Sequence, residues 1–480
     1  MERTVETTAT IRSMLIPLAL TQFVASYAAS NMNVAINNIA TDLGTSVSGV
    51  QTAITLFTLT MAALMIPGSK LTDIWGRKFC LQLGLIIYGL GALISTVANQ
   101  LGVLIIGYSL FEGIGSALMI PPVYILTTVL IRDLATRARA FGVISGMGGI
   151  GAAAGPLIGG LITTVISWRA SFLLQAGIVA AIIILARRIQ DPRVEGEKPV
   201  FDIGGAILSS AGLFFVVVGI LQAGTYGWFT ATQDFSIGNT VIIPQGGISP
   251  VWLFIGIGAG LMLWFFLYIR SRERAGKEPL LSTRLFGNRT ANLGLVTQNA
   301  QWFVLLGSSF VISVFLQVVR GYNAIETGLI LAPATLGILI SSARAGKMAQ
   351  KFSQSILVRA GFVLTLAGIV LLLLFASSTS ALITFVPGLF VLGLGVGIML
   401  TASVNIVQSS FPEEDQGEIS GLSRSVSNLG SSLGTAIAGT VLVSAVALGN
   451  QAYALALIVI ALVGSVGLVA SFLLPRDTGS

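Results

Sequence analysis

Long hydrophobic runs alternate with short polar segments along nearly the whole chain. A helix needs about 20 apolar residues to cross the hydrocarbon of a bilayer, and about fourteen of the runs approach or exceed that length. The predicted helices span residues 12–39, 50–68, 79–98, 101–131, 139–164, 169–187, 203–222, 251–270, 292–319, 325–344, 356–377, 381–409, 417–447 and 450–474. The pattern therefore predicts an all-α, polytopic membrane protein.

The composition narrows the class of protein further. Of the 480 residues, 54% are hydrophobic and only 9% are charged, which is too little charge for the surface of a soluble domain of this size. One cysteine and no histidine exclude a disulfide within the chain and remove the commonest metal ligands. The sequence contains neither a phosphate-binding P-loop nor a nucleophile-plus-base spacing. We therefore expect no enzyme activity, no metal site and no cofactor, and any proton handling falls to carboxylates.

The basic residues cluster in alternate polar segments. The net charge is 26 − 19 = +7, and almost every base lies in the segments around Lys70, Arg137, Arg193, Arg284 and Arg344. Basic loops stay on the cytoplasmic side of a membrane, and with an even number of spans both termini are then cytoplasmic. The N-terminal segment shows no cleavage site of a signal peptide. The charge thus indicates topology in a cell (inner) membrane and contact with its anionic lipids, not nucleic-acid binding.

A charged segment at 67–78 separates the second and third predicted helices. Its charges stand where a helix leaves lipid for water, and its glycines permit a tight reversal of the backbone. The spacing resembles the G-x-L-x-D-x-x-G-R-R/K loop of the major facilitator superfamily, with the first glycine one residue further from the leucine. A charged turn in another kind of membrane protein is the alternative for this segment alone. The matching residues are Gly68, Leu71, Asp73, Gly76, Arg77 and Lys78.

The fifth predicted helix holds a run of small residues with one proline. Gly151, Gly155, Pro156, Gly159 and Gly160 resemble the G-x-x-x-G-P-x-x-G-G motif of the antiporter branch of that superfamily. Small residues four apart let two helices approach backbone to backbone, and a proline adds a bend. The resemblance implies that this helix seals the outer half of a central cavity; general small-residue packing is the alternative.

Polar side chains inside the predicted helices are the candidate functional residues. Glu112 lies roughly 16 Å along the fourth helix, close to the bilayer midplane, where a carboxylate costs about 2.5–3.5 kcal/mol or more unless it is protonated, paired or hydrated. It is the candidate for proton coupling, with a neutral acid hydrogen-bonded to a neighbouring helix as the alternative.

A second set of polar side chains could line a substrate cavity. For the amides the alternative is hydrogen bonding between helices, and for the arginine it is snorkelling to the membrane surface. The candidates are Gln22, Tyr27, Asn31, Asn33, Ser109, Gln298, Trp302 and Arg424.

The chain as a whole resembles the fourteen-helix drug:proton antiporters of the major facilitator superfamily. The resemblance implies a 6+2+6 arrangement: one six-helix half at 1–190, two linking helices with a cytoplasmic connection at 191–290, and a second half at 291–480. In this family the two halves tilt about a shared site. By the same resemblance, Asp73 holds an inner gate shut with a base such as Arg139, and Arg77 and Lys78 anchor the turn at the membrane surface.

The resemblance also implies a monomeric secondary transporter in the lipid bilayer, with a small-molecule substrate and protons as the coupling ion. We expect proton-coupled efflux of amphipathic or cationic molecules; an uncoupled facilitator, lipid flippase or metabolite exporter of the same fold is the alternative. Ala28 and Ser109 stand where relatives carry an aspartate in helix 1 and an arginine in helix 4. We therefore expect Glu112 to serve as the proton carrier.

Overall fold

Sixteen α-helices make up most of the computed structural model, which describes residues 2–131, 134–189, 191, 200–237, 240–349, 351–412, 415–444 and 450–475. They are α1 (Glu2–Asn31), α2 (Ile36–Asp42), α3 (Val47–Trp75), α4 (Arg77–Thr96), α5 (Leu101–Leu104), α6 (Gly113–Leu130), α7 (Leu134–Val165), α8 (Trp168–Ala186), α9 (Ile203–Tyr226), α10 (Pro250–Arg274), α11 (Arg289–Val314), α12 (Ala324–Ala349), α13 (Gln354–Phe375), α14 (Phe385–Gln408), α15 (Gln416–Ser444) and α16 (Asn450–Leu473). Short helical segments extend or join them: 3-10 turns at Met32–Ala35, Thr283–Gly287 and Leu382–Thr384, and π-helical segments at Ile105–Glu112 and Phe315–Val319. Strands Phe235–Ile237 and Thr240–Ile243 pair antiparallel between α9 and α10.

Twelve helical stretches of the described residues are long and apolar enough to cross a membrane. The other two long helices, α1 and α15, correspond to the first and thirteenth predicted spans. They are less apolar because α1 begins in polar sequence and α15 is rich in serine. The predicted all-α architecture with about fourteen membrane helices is therefore confirmed.

The charged segment at 67–78 is mostly helical rather than a turn. α3 continues through Pro67 and α4 follows at once, so the reversal is confined to Gly76. Gly76 has φ +99° and ψ 144°, a conformation that glycine adopts far more readily than other residues. The helix can continue past Pro67 because the carbonyl of Ala63, which loses its partner within the helix, accepts a hydrogen bond at 3.0 Å from Ser210 of α9.

Helices early and late in the chain pair in the same pattern. α1 packs along α7 as α11 packs along α15, and α4 packs on α6 as α13 packs on α14. The two groups meet where α3 packs on α15 and where α7 packs on α12. We call α1 to α8 the first helix group and α11 to α16 the second. Two structurally equivalent halves would produce this repeated pairing.

The buried carboxylate of Asp202 fixes the linking helices α9 and α10. Its Oδ1 accepts hydrogen bonds from the backbone N–H of Gly205 at 3.0 Å and from Tyr268 of α10 at 3.2 Å. Its Oδ2 accepts the backbone N–H of Leu280 at 3.1 Å and lies 3.5 Å from Arg272. α9 in turn contacts both α3 and α15. The linking pair is therefore attached to both helix groups and to the segment that leads into α11.

The end of the bundle at which α3 stops and α4 begins is called the basic end here. Arg77 and Lys78 lie there, and Lys78 Nζ donates to the carbonyl of Arg187 at 2.8 Å. The other end is called the opposite end.

Replacing Gly76 with alanine should lower the free energy of unfolding by about 1–3 kcal/mol, because alanine is strained in this positive-φ conformation. Thermal unfolding of the purified protein measures the effect. Gly177→Ala in α8 is the control, since a Cβ added there meets no atom within 4 Å. An unchanged melting temperature for Gly76→Ala would contradict the required conformation.

Candidate functional site

A cavity lies between the two helix groups. Its open volume is about 750 Å³, counting the space that continues into solvent. Two adjoining hollows share Ala152, Leu305 and Ile338 with it. Mostly apolar walls with a few polar groups are typical of small-molecule sites. The lining residues come from α1, α3, α6 and α7 on one side and α11, α12 and α15 on the other: Gln22, Ala25, Ser26, Ala29, Ser30, Thr58, Met61, Ile120, Ala152, Trp302, Leu305, Leu306, Ser309, Ile338, Arg424, Ser427, Asn428 and Ser431.

Arg424 of α15 is the charged side chain on the described lining of this cavity. Its guanidinium lies 4.4 Å from the ring centroid of Tyr124 in α6 and donates to the Tyr124 hydroxyl. That hydroxyl donates to Oε1 of Gln22 at 3.2 Å, and Nε2 of Gln22 donates to Ser26 at 3.3 Å. These contacts join the two helix groups across the cavity wall.

The predicted cavity residues fall into two sets. Gln22, Trp302 and Arg424 line the cavity. The remaining predicted residues do not appear among its lining side chains and instead contact neighbouring helices.

Tyr27, Ser109 and Gln298 make hydrogen bonds between helices. The Tyr27 hydroxyl shares a hydrogen bond of 2.9 Å with Ser171 of α8. Ser109 donates to a backbone carbonyl of α3 at 2.7 Å, and Gln298 accepts a hydrogen bond from Ser423 of α15 at 2.9 Å. These side chains therefore hold helices together.

Asn33 joins the two helix groups at the opposite end. Its Nδ2 donates to Ser309 at 3.2 Å, and its backbone carbonyl accepts from Gln317 at 2.8 Å. Oε1 of Gln317 also accepts the backbone N–H of Asn37 at 3.1 Å. Separating the groups at this end would break all three hydrogen bonds.

Three glycines of α7 give α1 its close packing. A Cβ added at Gly151 would lie 2.3 Å from the carbonyl oxygen of Phe23. At Gly155 it would lie 2.9 Å from the backbone nitrogen of Asn31, and at Gly159 it would lie 3.0 Å from the Cβ of Asn31. A side chain at any of these positions would force the two helices apart.

The remaining residues of the motif contact the second helix group. A Cβ on Gly160 would lie 2.5 Å from the carbonyl oxygen of Ala324, and a Cβ on Gly328 would lie 2.3 Å from the carbonyl oxygen of Pro156. α7 and α12 therefore touch backbone to backbone near the opposite end. The same short motif serves packing within one group and contact between the groups.

At the basic end, α3 meets the start of α15. Ser69 donates to the carbonyl of Gly417 at 3.0 Å. Lys70 Nζ lies 3.8 Å from Glu418 and 3.7 Å from Glu278 of the segment between α10 and α11. An ion pair in this position couples the first helix group to the second and to the linking segment.

Two residues of the charged motif contact neighbouring helices from α3. A Cβ on Gly68 would lie 2.4 Å from the carbonyl oxygen of Ala117 in α6, and Asp73 Oδ2 lies 3.6 Å from the Cβ position of Gly417. The side chain of Arg139, the expected partner of Asp73, lies outside the described residues. Asp73 is therefore beside the start of α15, and its pairing with Arg139 stays a prediction.

The start of α4 is held by the segment after α8. Asp191 Oδ2 accepts the backbone N–H of Lys78 at 2.9 Å, which places a negative charge at a helix N-terminus. Within the described part of the chain, the buried Nε of Arg77 has no hydrogen-bond partner. Leu71 is half-buried in α3. The start of α4 is therefore stabilised by the carboxylate of Asp191, which was not among the predicted site residues.

Glu112 lies inside the first helix group and not on the described cavity lining. It is fully buried at the end of the π-helical segment, and neither carboxyl oxygen has a hydrogen-bond partner among the described residues. Tyr88 and Tyr108 are its neighbours, and the Tyr88 hydroxyl donates to Gln175 at 2.5 Å. The described surroundings thus contain polar groups but no base that would neutralise a carboxylate.

Only one residue of the polar face of α15, Arg424, was among the predicted cavity residues. Arg424, Ser427, Asn428 and Ser431 all line the cavity. They recur at i, i+3, i+4 and i+7, the spacing of one helix face, so this signal was available. No comparable signal pointed to Tyr124, because its partner Arg424 lies 300 positions away in the sequence.

The chain resembles known membrane transporters over most of its length. A family model described as the Major Facilitator Superfamily matches residues 18–435 and 300–479. The multidrug resistance protein Stp of Mycobacterium tuberculosis is 25% identical over 428 residues, covering 89% of this chain and 75% of that protein. The probable actinorhodin transporter of Streptomyces coelicolor is 28% identical over 432 residues, covering 88% and 70%. The methylenomycin A resistance protein of Bacillus subtilis is 27% identical over 436 residues, covering 91% and 88%.

Replacing Gly151 with alanine should lower the free energy of unfolding by about 1–3 kcal/mol, because the added methyl group collides with the Phe23 carbonyl. The melting temperature of the detergent-solubilised protein measures the loss. Gly146→Ala in the same helix is the matched control, since a Cβ there meets no atom within 4 Å. Equal melting temperatures for the two variants would remove the packing role assigned to Gly151.

Proposed function

This chain belongs to the Major Facilitator Superfamily, and on that premise we propose that it exports small amphipathic molecules by alternating access. It is a polytopic membrane protein and a transporter of small molecules, not an enzyme. The observation that carries the proposal is the cavity whose walls come from both helix groups. A site shared in this way opens to one side or the other as the two groups tilt.

The two tilting halves in this cycle are residues 1–190 and 291–480, with 191–290 as the linking helices. The Asn33–Gln317 contacts at the opposite end and the Lys70–Glu418 contact at the basic end separate in alternate states. The basic end and both termini face the cytoplasm, in accord with the positive-inside rule. The chain acts as a monomer, since one chain supplies both walls of the cavity.

The names of the relatives support export as the direction of transport. One relative is named for multidrug resistance, one as a probable actinorhodin transporter and one for resistance to methylenomycin A. Export explains resistance, because it lowers the concentration of a toxic molecule inside the cell. We extend this direction to the present chain and to small organic molecules with an apolar body, which suit the apolar walls of the cavity.

Protons that enter the cell drive this export, and Glu112 carries them. A fully buried carboxyl group without a counter-charge is far more favourable in its neutral form, so gain and loss of the proton must accompany a change in its surroundings. α1 transmits that change. Its Ala28 carbonyl accepts a hydrogen bond at 3.1 Å from Tyr108, a neighbour of Glu112, while its Ala25 and Ala29 line the cavity.

Ala152→Trp should abolish export, because Ala152 lines the cavity and both adjoining hollows and an indole would fill the space. Efflux of a fluorescent dye from cells, at matched amounts of folded protein, measures the loss. Ala180→Trp is the control, since Ala180 is exposed on α8. Normal efflux by Ala152→Trp would contradict the assignment of this cavity as the transport site.

Glu112→Gln should abolish gradient-driven transport while substrate counterflow survives, because glutamine keeps the shape of the carboxyl group but cannot release a proton. Uptake into proteoliposomes is measured with and without an imposed pH gradient. If gradient-driven transport persists in this variant, Glu112 does not carry the proton. If the wild-type protein transports equally well without a gradient, it is an uncoupled facilitator of the same fold.

A further inference from the structure

The positive charge of Arg424 is not neutralised within the described residues. No carboxylate lies within ion-pair distance of it there, and no Asp or Glu occurs on the described lining of the cavity or of the adjoining hollows. Two of the described carboxylates near the start of α15 are engaged elsewhere. Glu418 pairs with Lys70 and accepts the backbone N–H of Ser282 at 3.0 Å, and Asp415 pairs with Arg284.

The contacts of Arg424 position the guanidinium without removing its charge. It stacks over the ring of Tyr124 at 4.4 Å, and one of its nitrogens donates to the Tyr124 hydroxyl. Aromatic rings and hydroxyls orient a guanidinium but leave its net charge intact. A guanidinium carries five N–H donors in a planar fork that matches the oxygens of a carboxylate or a phosphate. Donors therefore remain for a ligand in the cavity.

The walls around Arg424 define the rest of the ligand. Ser427, Asn428 and Ser431 follow it on the same face of α15 and offer uncharged hydrogen-bonding groups. Trp302 and Leu305 of α11, the helix packed along α15, add an aromatic ring and an apolar side chain to the wall. A molecule that fits this arrangement has an apolar or aromatic body and one anionic group.

We propose that the cavity selects amphipathic organic anions, with Arg424 binding the anionic group through its guanidinium. The proposal rests on the export function only in treating the bound anion as the transported molecule. A cationic molecule, one of the two kinds of substrate expected from the sequence, would meet a like charge at Arg424 and find no carboxylate on the described lining. Repulsion between like charges beside apolar protein walls is stronger than in bulk water, so Arg424 discriminates against cations as well as attracting anions.

Two dyes with the same xanthene ring system but opposite charge test the charge preference: fluorescein as the anion and rhodamine 123 as the cation. Their affinities for the purified full-length protein are measured by fluorescence anisotropy at one pH and one salt concentration. We expect the wild-type protein to bind fluorescein at least about tenfold more tightly than rhodamine 123. Equal or tighter binding of rhodamine 123, or no binding of either dye, would overturn the proposal.

Arg424→Gln should lose at least about tenfold in fluorescein affinity without losing rhodamine 123 affinity. Arg424→Lys keeps the charge and loses the planar fork, so it should retain the anion preference at reduced affinity. Arg344→Gln is the control of equal charge change, because Arg344 is exposed in α12 and lies outside the described cavity lining. Fluorescein binding that is unchanged in Arg424→Gln, or equally reduced in Arg344→Gln, would refute a role for Arg424. Should Arg424→Gln fail to fold, the comparison rests on Arg424→Lys, in which loss of the anion preference would count against the proposal.

A transport measurement separates this proposal from the proposed function. Proteoliposomes that hold wild-type protein are assayed for fluorescein movement. Binding that depends on Arg424 without any movement of the dye would leave the anion site standing and refute export of the bound molecule. Movement of rhodamine 123 but not of fluorescein would support export and refute the anion site.

Discussion

In the hydrocarbon of a bilayer no water reaches the backbone, so every carbonyl must find its partner within the protein. Prolines inside long helices make this constraint acute, because each releases a carbonyl four residues earlier. Pro67 releases the carbonyl of Ala63, which Ser210 of α9 satisfies. Pro121 leaves the carbonyl of Ala117 without its usual donor, and α3 approaches that oxygen closely at a glycine. The Ala63 carbonyl of α3 therefore faces α9, and the Ala117 carbonyl of α6 faces α3.

The same requirement shapes the contact between the helix groups. Ser425 and Ser432 of α15 donate to backbone carbonyls of α3 at 2.5 and 3.1 Å, and Gln51 of α3 donates to a carbonyl of α15 at 3.1 Å. A serine in a helix can also bond within its own helix, as Ser427 does to the carbonyl of Ser423 at 2.9 Å. Hydroxyl groups of this kind lose little when the helices part, because an alternative acceptor lies one turn away. A serine-rich seam is therefore suited to groups that separate and meet again.

The sequence predicted the fold more completely than the site, because membrane helices depend on local length and hydropathy whereas a site depends on which helix faces meet. The predicted end of α3 was wrong. The charges after residue 68 suggested a turn, but a hydrogen bond from Ser210 of α9 allows α3 to stay helical through Pro67. At the site, Gln22 and Arg424 line the cavity, since polar groups within the membrane avoid lipid. Asn33 obeys the same rule by joining the helix groups instead. The polarity of a residue alone therefore cannot tell whether it lines the cavity or joins two helices.

The linking helix α9 is attached to both groups at once, through Ser210 to α3 and by packing against α15. If the two helix groups tilt apart as proposed, a helix attached to both cannot follow both, so one of its two attachments would have to loosen. Asp202 ties α9 to α10 and to the segment that leads into α11. α9 would therefore stay with the second helix group, and its contact with α3 would be the one that loosens. Breaking the contact between α9 and α3 would then add to the energy barrier of the tilt. The hydrogen bond from Ser210 to the Ala63 carbonyl would thus help to set the rate of the conformational change.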